Sequence, residues 1–221
     1  MANDQLRSAR TARPSSVRMK GARRALTAIG IWIVAFGPLA VTGAAAWAYS
    51  FYSCGPNCTP RWPSGRIALY ANQEATECDL AAMRRAMARW NAALARVGAD
   101  AQVMLAGRTT HYGLQKNGVS SVALLVSRWP KERRLFGWTS IWWRGGRVVE
   151  GDIVFNLQDH PFRCDIPVRR GAAASLEQEM THELGHLLGL GHARGGIMMP
   201  EGYGTAVDPD ALEGLRALYG R

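Results

Sequence analysis

The chain has 221 residues and a formal net charge of +10, and 48% of its residues are hydrophobic. This length suits one domain with a sizeable core and a short appendage. Residues 1–24 contain seven basic residues and one acidic residue, so that 50–221 carries only +4 of the net charge. Because the basic charge is concentrated at one end, it gives little support for nucleic-acid binding, and we expect no nucleic-acid partner.

An apolar segment follows the basic residues. Residues 25–49 contain no charged side chain, and as a helix they would cross a hydrocarbon core of about 30 Å. Positive charges at 1–24 predict a cytoplasmic N-terminus and an extracytoplasmic domain. Small residues near the end of the segment also fit a signal peptide that is cleaved after Ala46 or Ala48. The apolar length favours a membrane anchor over this alternative, in which the domain is secreted.

All four cysteines lie beyond the apolar segment, at Cys54, Cys58, Cys78 and Cys164. Export to an oxidising compartment predicts that they form two disulfides. Three pairings are possible, and the sequence does not choose between them. The turn-forming residues between Cys54 and Cys58 nevertheless favour a short disulfide loop over a metal or redox pair.

The body of the domain, 50–221, shows both strand and helix patterns. Apolar residues recur at three- and four-residue steps over 79–97, which predicts a helix with one buried face. Gly145 and Gly146 can adopt the positive φ angles that a tight hairpin turn demands. The predicted strands are 66–70, 102–106, 119–126, 138–143 and 147–155.

Two further helices are predicted in the last third of the chain. Ser175 and Gln178 form a capping-box pattern at the start of a helix over 176–188. A final helix over 209–219 begins after Asp208, which can cap it, while proline takes the first helical position.

Residues 182–192 contain three of the five histidines, in the pattern H-E-x-x-H-x-x-G-x-x-H. His182 and His186 lie four residues apart, so a helix places both imidazoles on one face, where they reach one zinc ion. Gly189 lets the chain leave the helix in a left-handed conformation and return His192 as a third ligand. Three protein ligands leave one coordination position open, which is typical of catalytic zinc.

Glu183 follows the first histidine and can contact a water at the zinc without being a ligand. We therefore expect zinc-dependent hydrolysis of peptide bonds, with Glu183 as the general base that passes the water's proton to the leaving amine. Two alternatives are a non-catalytic zinc-containing binding module at the cell surface and a hydrolase of a non-peptide amide.

These residues resemble a known family. The pattern at 182–192 matches the extended zinc signature of the metzincin metallopeptidases, and 196–200 resembles their Met-turn. By the spacing, Met198 corresponds to the methionine that lies beneath the zinc ligands. Residues 151–156 and 210–220 are similar to a strand and to the closing helix of the matrixin branch. On these motifs the chain resembles a metzincin zinc metallopeptidase of the matrixin-like branch.

The resemblance is specific over about 150–220, and over 62–149 it rests only on the order of elements. It implies an α+β fold, in which a mixed sheet and two helices form an upper subdomain. It also implies a small lower subdomain after Gly189 and a peptide-binding cleft between the two. One catalytic zinc, a peptide or protein substrate and a monomeric chain are expected.

Other features of the family have less support in this chain. Many matrixins have a histidine ligand for a second zinc where this chain has Val154, so we expect no second zinc there. Calcium is common in the family, but no carboxylate cluster supports a calcium site. His111 and His160 are expected to be surface or hydrogen-bonded residues. The wall of the main substrate pocket would come from 201–208.

Overall fold

The computed structural model describes residues 49–169, 171–200 and 204–221. The predicted cytoplasmic segment at 1–24 lies outside these residues, as does the predicted membrane or signal segment at 25–49 except for Tyr49. Among the helices that are described, none is long and apolar enough to span a bilayer.

The described chain folds into a mixed sheet with helices. The strands are β1 (Gly65–Asn72), β2 (Ala101–Thr109), β3 (Ser121–Leu125), β4 (Gly137–Arg144) and β5 (Arg147–Asn156), with the short strands β6 (Phe162–Arg163) and β7 (Ala174–Ser175). The helices are α1 (Glu77–Arg96), α2 (Leu176–Leu187) and α3 (Pro209–Tyr219). The expected mixed sheet with helices is confirmed, and the structure adds the short pair β6 and β7, which the sequence patterns do not predict.

The five long strands form one sheet in the order β2-β1-β3-β5-β4. Parallel pairing joins β1 to β2, β1 to β3 and β3 to β5, whereas β4 runs antiparallel to β5 at the edge. The antiparallel pair is closed by Gly145 and Gly146, whose φ angles are 55° and 76°, as the hairpin prediction requires. Parallel neighbours need a longer crossover, and α1 provides it between β1 and β2.

Helix α1 begins two residues earlier than its apolar pattern predicts, because a capping box precedes it. The side chain of Thr76 accepts from the backbone N–H of Asp79, and the Asp79 carboxylate accepts from the Thr76 N–H at 2.8 Å. These bonds satisfy donors that the first helical turn leaves without partners.

Helices α1 and α2 are joined to each other and to the sheet through the core. The buried Trp90 donates from Nε1 to the carbonyl oxygen of Thr181 at 2.7 Å. Gly151 of β5 has no side chain, and Leu187 of α2 fills the place that a Cβ would take. The close approach positions α2 against the strands at the β4 edge.

Two disulfides decide the cysteine pairing. Cys54 bonds to Cys58, as the short-loop prediction states, and Cys78 bonds to Cys164 across 86 residues. The second bond ties the first turn of α1 to the chain that precedes β7. By closing such a long loop, it restricts the unfolded chain and contributes on the order of 4 kcal/mol to stability.

Ion pairs around a buried carboxylate also fix α2 against α1. Glu177 in the first turn of α2 is 2% exposed, and its carboxylate lies 2.5 Å from Arg85 Nε and 2.7 Å from Arg89 Nη2. Burial acts to raise the pKa of Glu177, but the two arginines outweigh it and hold the pKa below its ordinary value of 4.5. Ionised Glu177 therefore stabilises the fold, and this contribution is lost as the pH falls through the lowered pKa.

We predict that Glu177→Gln lowers the free energy of unfolding at pH 7 by about 1–2 kcal/mol, since a neutral amide replaces a carboxylate that binds two half-exposed arginines. The difference from wild type should shrink below pH 4.5, where wild-type Glu177 becomes protonated. Urea unfolding at neutral and at acid pH measures both effects.

The control is Asp165→Asn, which removes an exposed ion pair with Arg163. This variant should change the free energy of unfolding little at either pH. A stability loss in Glu177→Gln that is the same at neutral and acid pH would contradict the assigned role of its charge.

Candidate metal centre

The structure brings together the three histidines of the zinc signature. The ligand nitrogens of His182, His186 and His192 all lie within 4.8 Å of one another. His182 and His186 are buried on α2, and His192 is exposed on the loop that follows the helix. These three side chains could hold a metal ion, and we call them the metal group.

Hydrogen bonds to backbone carbonyls determine which ring nitrogen of His182 and of His186 is available to bind a metal ion. Nδ1 of His182 lies 2.6 Å from the carbonyl oxygen of Ile197, and Nδ1 of His186 lies 2.8 Å from that of Leu190. A carbonyl oxygen only accepts, so each Nδ1 carries the proton and each Nε2 keeps a free lone pair. The two Nε2 atoms are 3.0 Å apart.

This arrangement fits a metal ion. Two lone pairs at 3.0 Å repel each other unless a cation lies between them. Tetrahedral zinc with bonds of about 2.0–2.1 Å would place its nitrogen ligands about 3.3 Å apart, close to the observed separation. Burial lowers the pKa of His182 to about 4 and that of His186 well below its ordinary value, so both imidazoles are neutral, as metal ligation requires.

Glu183 lies between α2 and the edge strand β4. Its side chain is 4% exposed, and Oε2 accepts a hydrogen bond from Thr139 Oγ1 at 2.6 Å. A Cβ added at Gly137 would lie 2.7 Å from Oε1 of Glu183, so a side chain at position 137 would displace the carboxylate. Burial raises the pKa of Glu183 to about 8, although the Thr139 hydrogen bond acts in the opposite direction.

Gly189 directs the chain away from the helix, as its place in the motif predicts. Its φ is 101°, in the region that favours glycine, and an added Cβ would lie 3.0 Å from the carbonyl oxygen of Pro60. The N–H of Leu190 donates back to the Gly185 carbonyl at 3.0 Å, which closes the end of the helix. The next residues then return His192 towards His182 and His186.

Met198 packs against the turn of α2 that carries His182 and His186. It is 2% exposed, and its sulfur occupies the place that a Cβ of Gly185 would take. Gly185 lies between the two helical ligands in the sequence, so Met198 contacts the helix at the level of the metal group. Its role as the supporting methionine stays a prediction.

Asp208 links α3 to the metal group, a role that its sequence pattern does not show. One carboxylate oxygen accepts from the N–H groups of Asp210 and Ala211 and caps α3, as predicted. The other accepts from Ile197 N–H at 2.8 Å. Since the Ile197 carbonyl accepts from His182, Asp208 holds the segment that orients the first ligand.

The remaining candidate residues lie elsewhere. Among the described residues, the metal group does not include His111, which is exposed, or His160, whose Nε2 lies 2.8 Å from the Arg133 carbonyl oxygen. Val154 is fully buried and forms a small apolar cluster with Ala123 and Leu125, separate from the main core. Of the predicted pocket wall at 201–208, the structure describes 204–208.

Comparison with protein-family models and with curated proteins finds no match to this chain. The resemblance to the metzincins therefore rests on the motif residues alone. The fold and the site together carry a coarser conclusion: a mixed-sheet domain with two disulfides whose three clustered histidines could hold a metal ion.

We predict that Asp208→Asn weakens zinc binding about tenfold, because it disturbs the backbone segment that orients His182. Asparagine still caps helices well, so the loss of stability should be small. Competition with a chromophoric zinc chelator measures the affinity, and thermal unfolding measures the stability.

Asp79→Asn is the matched control, since it alters the cap of α1 in the same chemical way. It should leave zinc affinity at the wild-type value. Equal zinc affinities for Asp208→Asn and wild type would show that the link from Asp208 through Ile197 does not orient the ligand.

Proposed function

We propose that the protein is a zinc-dependent endopeptidase. Two observations together carry this proposal: three clustered histidines that could hold one metal ion, and the buried, hydrogen-bonded carboxylate of Glu183, which follows His182 directly on α2. The resemblance of 182–192 and 196–200 to the metzincin motifs supports the same activity.

Three histidines are the proposed ligands, and each is held by a separate feature of the fold. Neutral imidazoles with a protonated Nδ1 suit zinc, and three ligands leave a position for reactants. Bound zinc supplies a Lewis acid, which polarises a carbonyl group and makes water nucleophilic near neutral pH. The proposed ligands are His182, His186 and His192.

Glu183 acts as the general base in this proposal, and a zinc cation at the histidines would favour its ionised form, against the burial that raises its pKa. Its carboxylate accepts the proton of the attacking water and transfers it to the leaving amine nitrogen. The hydrogen bond from Thr139 holds the carboxylate in one orientation, between the helix that carries the first two histidines and the sheet edge. A group that is fixed in advance spends less free energy on orientation during the reaction.

The sheet edge next to Glu183 favours a peptide as the substrate. Strand β4 pairs with β5 on one side and ends the sheet on the other. The N–H of Asn156 donates to the Phe136 carbonyl, so in the alternating antiparallel pattern Phe136, Trp138 and Ser140 bond towards β5. The backbone groups of Gly137 and Thr139 then face outward, where an extended peptide can pair with them.

The disulfides support an extracytoplasmic location for the catalytic domain. Disulfides persist in oxidising compartments and are rare in the cytosol. In the proposed arrangement, 25–49 anchors the domain to a membrane, or is removed as a signal peptide so that the domain is secreted.

We predict that Glu183→Gln lowers kcat/KM for quenched fluorogenic peptides by at least about a thousandfold, because the proton acceptor is lost. Zinc content should stay at one ion per chain, since Glu183 is not a ligand. Peptide cleavage and zinc content are measured on the full chain, with and without a chelator.

Glu213→Gln on α3 is the control and should keep both activity and zinc. A fully active Glu183→Gln variant would overturn the role of Glu183. Wild-type protein that holds zinc but cleaves no peptide would instead favour the non-catalytic module, and cleavage of non-peptide amides alone would favour the third alternative.

We further predict that Thr139→Val lowers kcat about tenfold to a hundredfold, because the carboxylate of Glu183 loses its hydrogen-bond donor in a buried site. Zinc affinity and KM should change little, since valine keeps the shape of threonine. Thr139→Ser retains a hydroxyl group and should restore most of the activity. If valine and serine variants are equally impaired, the hydroxyl group has no special part in the reaction.

A further inference from the structure

Four residues at the start of the described chain, 49–52, run alongside the loop that carries the third histidine. We name them the N-terminal strap. The N–H of Gly191 donates to the Ser50 carbonyl at 2.7 Å, and the N–H of Tyr52 donates to the Gly189 carbonyl at 3.2 Å. Phe51 forms an antiparallel bridge with Leu190. The strap thus pairs, like a short strand, with the loop at 189–192 that carries His192, which we call the ligand loop.

Ser50 makes the most direct contact with a proposed ligand. Its Oγ donates to the backbone carbonyl of His192 at 2.7 Å. Gly191 lies against the same side chain, and Ser50 Oγ fills the place that a Cβ at position 191 would take. Ser50 therefore holds the ligand loop through its carbonyl oxygen, its hydroxyl group and its close fit against Gly191.

The strap is itself fixed at both ends. A Cβ at Gly214 of α3 would lie 3.3 Å from Tyr49 Cβ, and the rings of Tyr49 and Phe51 are 5.2 Å apart. At the other end, the ring of Tyr52 lies 5.8 Å from that of His186. The strap thus connects α3 with the metal group, so it can act as a rigid support for the loop.

The third ligand needs such a support more than the other two. His182 and His186 are placed by a buried helix, whereas His192 is exposed and lies outside helix and strand. A ligand on a loop must be ordered when the metal binds, and the entropy of that ordering weakens the affinity unless the loop is already fixed.

We propose that the N-terminal strap is a positioning element of the metal centre, in which Ser50 fixes the backbone of His192 in the geometry that binds metal. This inference rests on the proposed zinc site. The strap begins at Tyr49, the last residue of the apolar segment 25–49, and the predicted cleavage sites after Ala46 and Ala48 both leave it in the chain.

The first test is Ser50→Ala in the full chain. Zinc affinity, measured by competition with a chromophoric chelator, should fall about tenfold. Cobalt placed at the site should show a changed visible spectrum, because the geometry of its third histidine changes. Ser53→Ala is the matched control: Ser53 Oγ donates to the nearby Gly55 carbonyl and not to the ligand loop. It should keep wild-type affinity and spectrum.

The second test uses the contact between Ser50 and Gly191. Gly191→Ala places a methyl group where Ser50 Oγ lies, so it should also weaken zinc binding. Ser50→Gly in the same chain removes that clash. If the two residues act through one contact, the double variant should bind zinc no more weakly than Ser50→Gly alone.

The outcomes separate this inference from the zinc site itself. If wild type binds no zinc, the metal centre fails and the strap's role fails with it. If wild type binds zinc and Ser50→Ala binds equally well, only the strap's role is overturned. A lower unfolding temperature of metal-free Ser50→Ala with an unchanged cobalt spectrum would show a merely structural role and would also overturn the proposal.

Discussion

Two backbone carbonyl groups determine the geometry of the metal group. The carbonyls of Leu190 and Ile197 accept from Nδ1 of His186 and His182, which leaves each Nε2 free and pointed at a common position. Both carbonyls belong to the segment that follows α2. The helix alone therefore does not make the site, because the chain after it must fold back before the imidazoles acquire fixed orientations.

Close contact between α2 and the sheet determines where the Glu183 carboxylate lies. Gly137 and Gly151 leave room for Glu183 and Leu187, so the helix lies against the strands near β4. The carboxylate of Glu183 then bonds to Thr139 on the outermost strand. As a result, the proposed proton acceptor lies at β4, the strand that ends the described sheet.

Elements far apart in the sequence support the loop between α2 and α3. Asp208 holds Ile197 from the start of α3, and Ser50 holds His192 from the other end of the domain. Met198 packs beneath the helical turn that carries the first two histidines. A metal ion at this group would therefore connect α2, α3 and the N-terminal strap, so that metal binding and folding stability are linked.

The sequence by itself determined the features that depend on neighbouring residues. These features are the helix caps at Ser175 and Asp208, the glycine hairpin and the spacing of the three histidines. Each depends on residues a few positions apart, so pattern and stereochemistry suffice to predict it. Only the tertiary structure decided the bond of Cys78 to Cys164 and the contacts that Thr139, Asp208 and Ser50 make around the site. These contacts join residues that are distant along the chain. The packing of the helices against the sheet brings their side chains together, and no local sequence pattern predicts that packing.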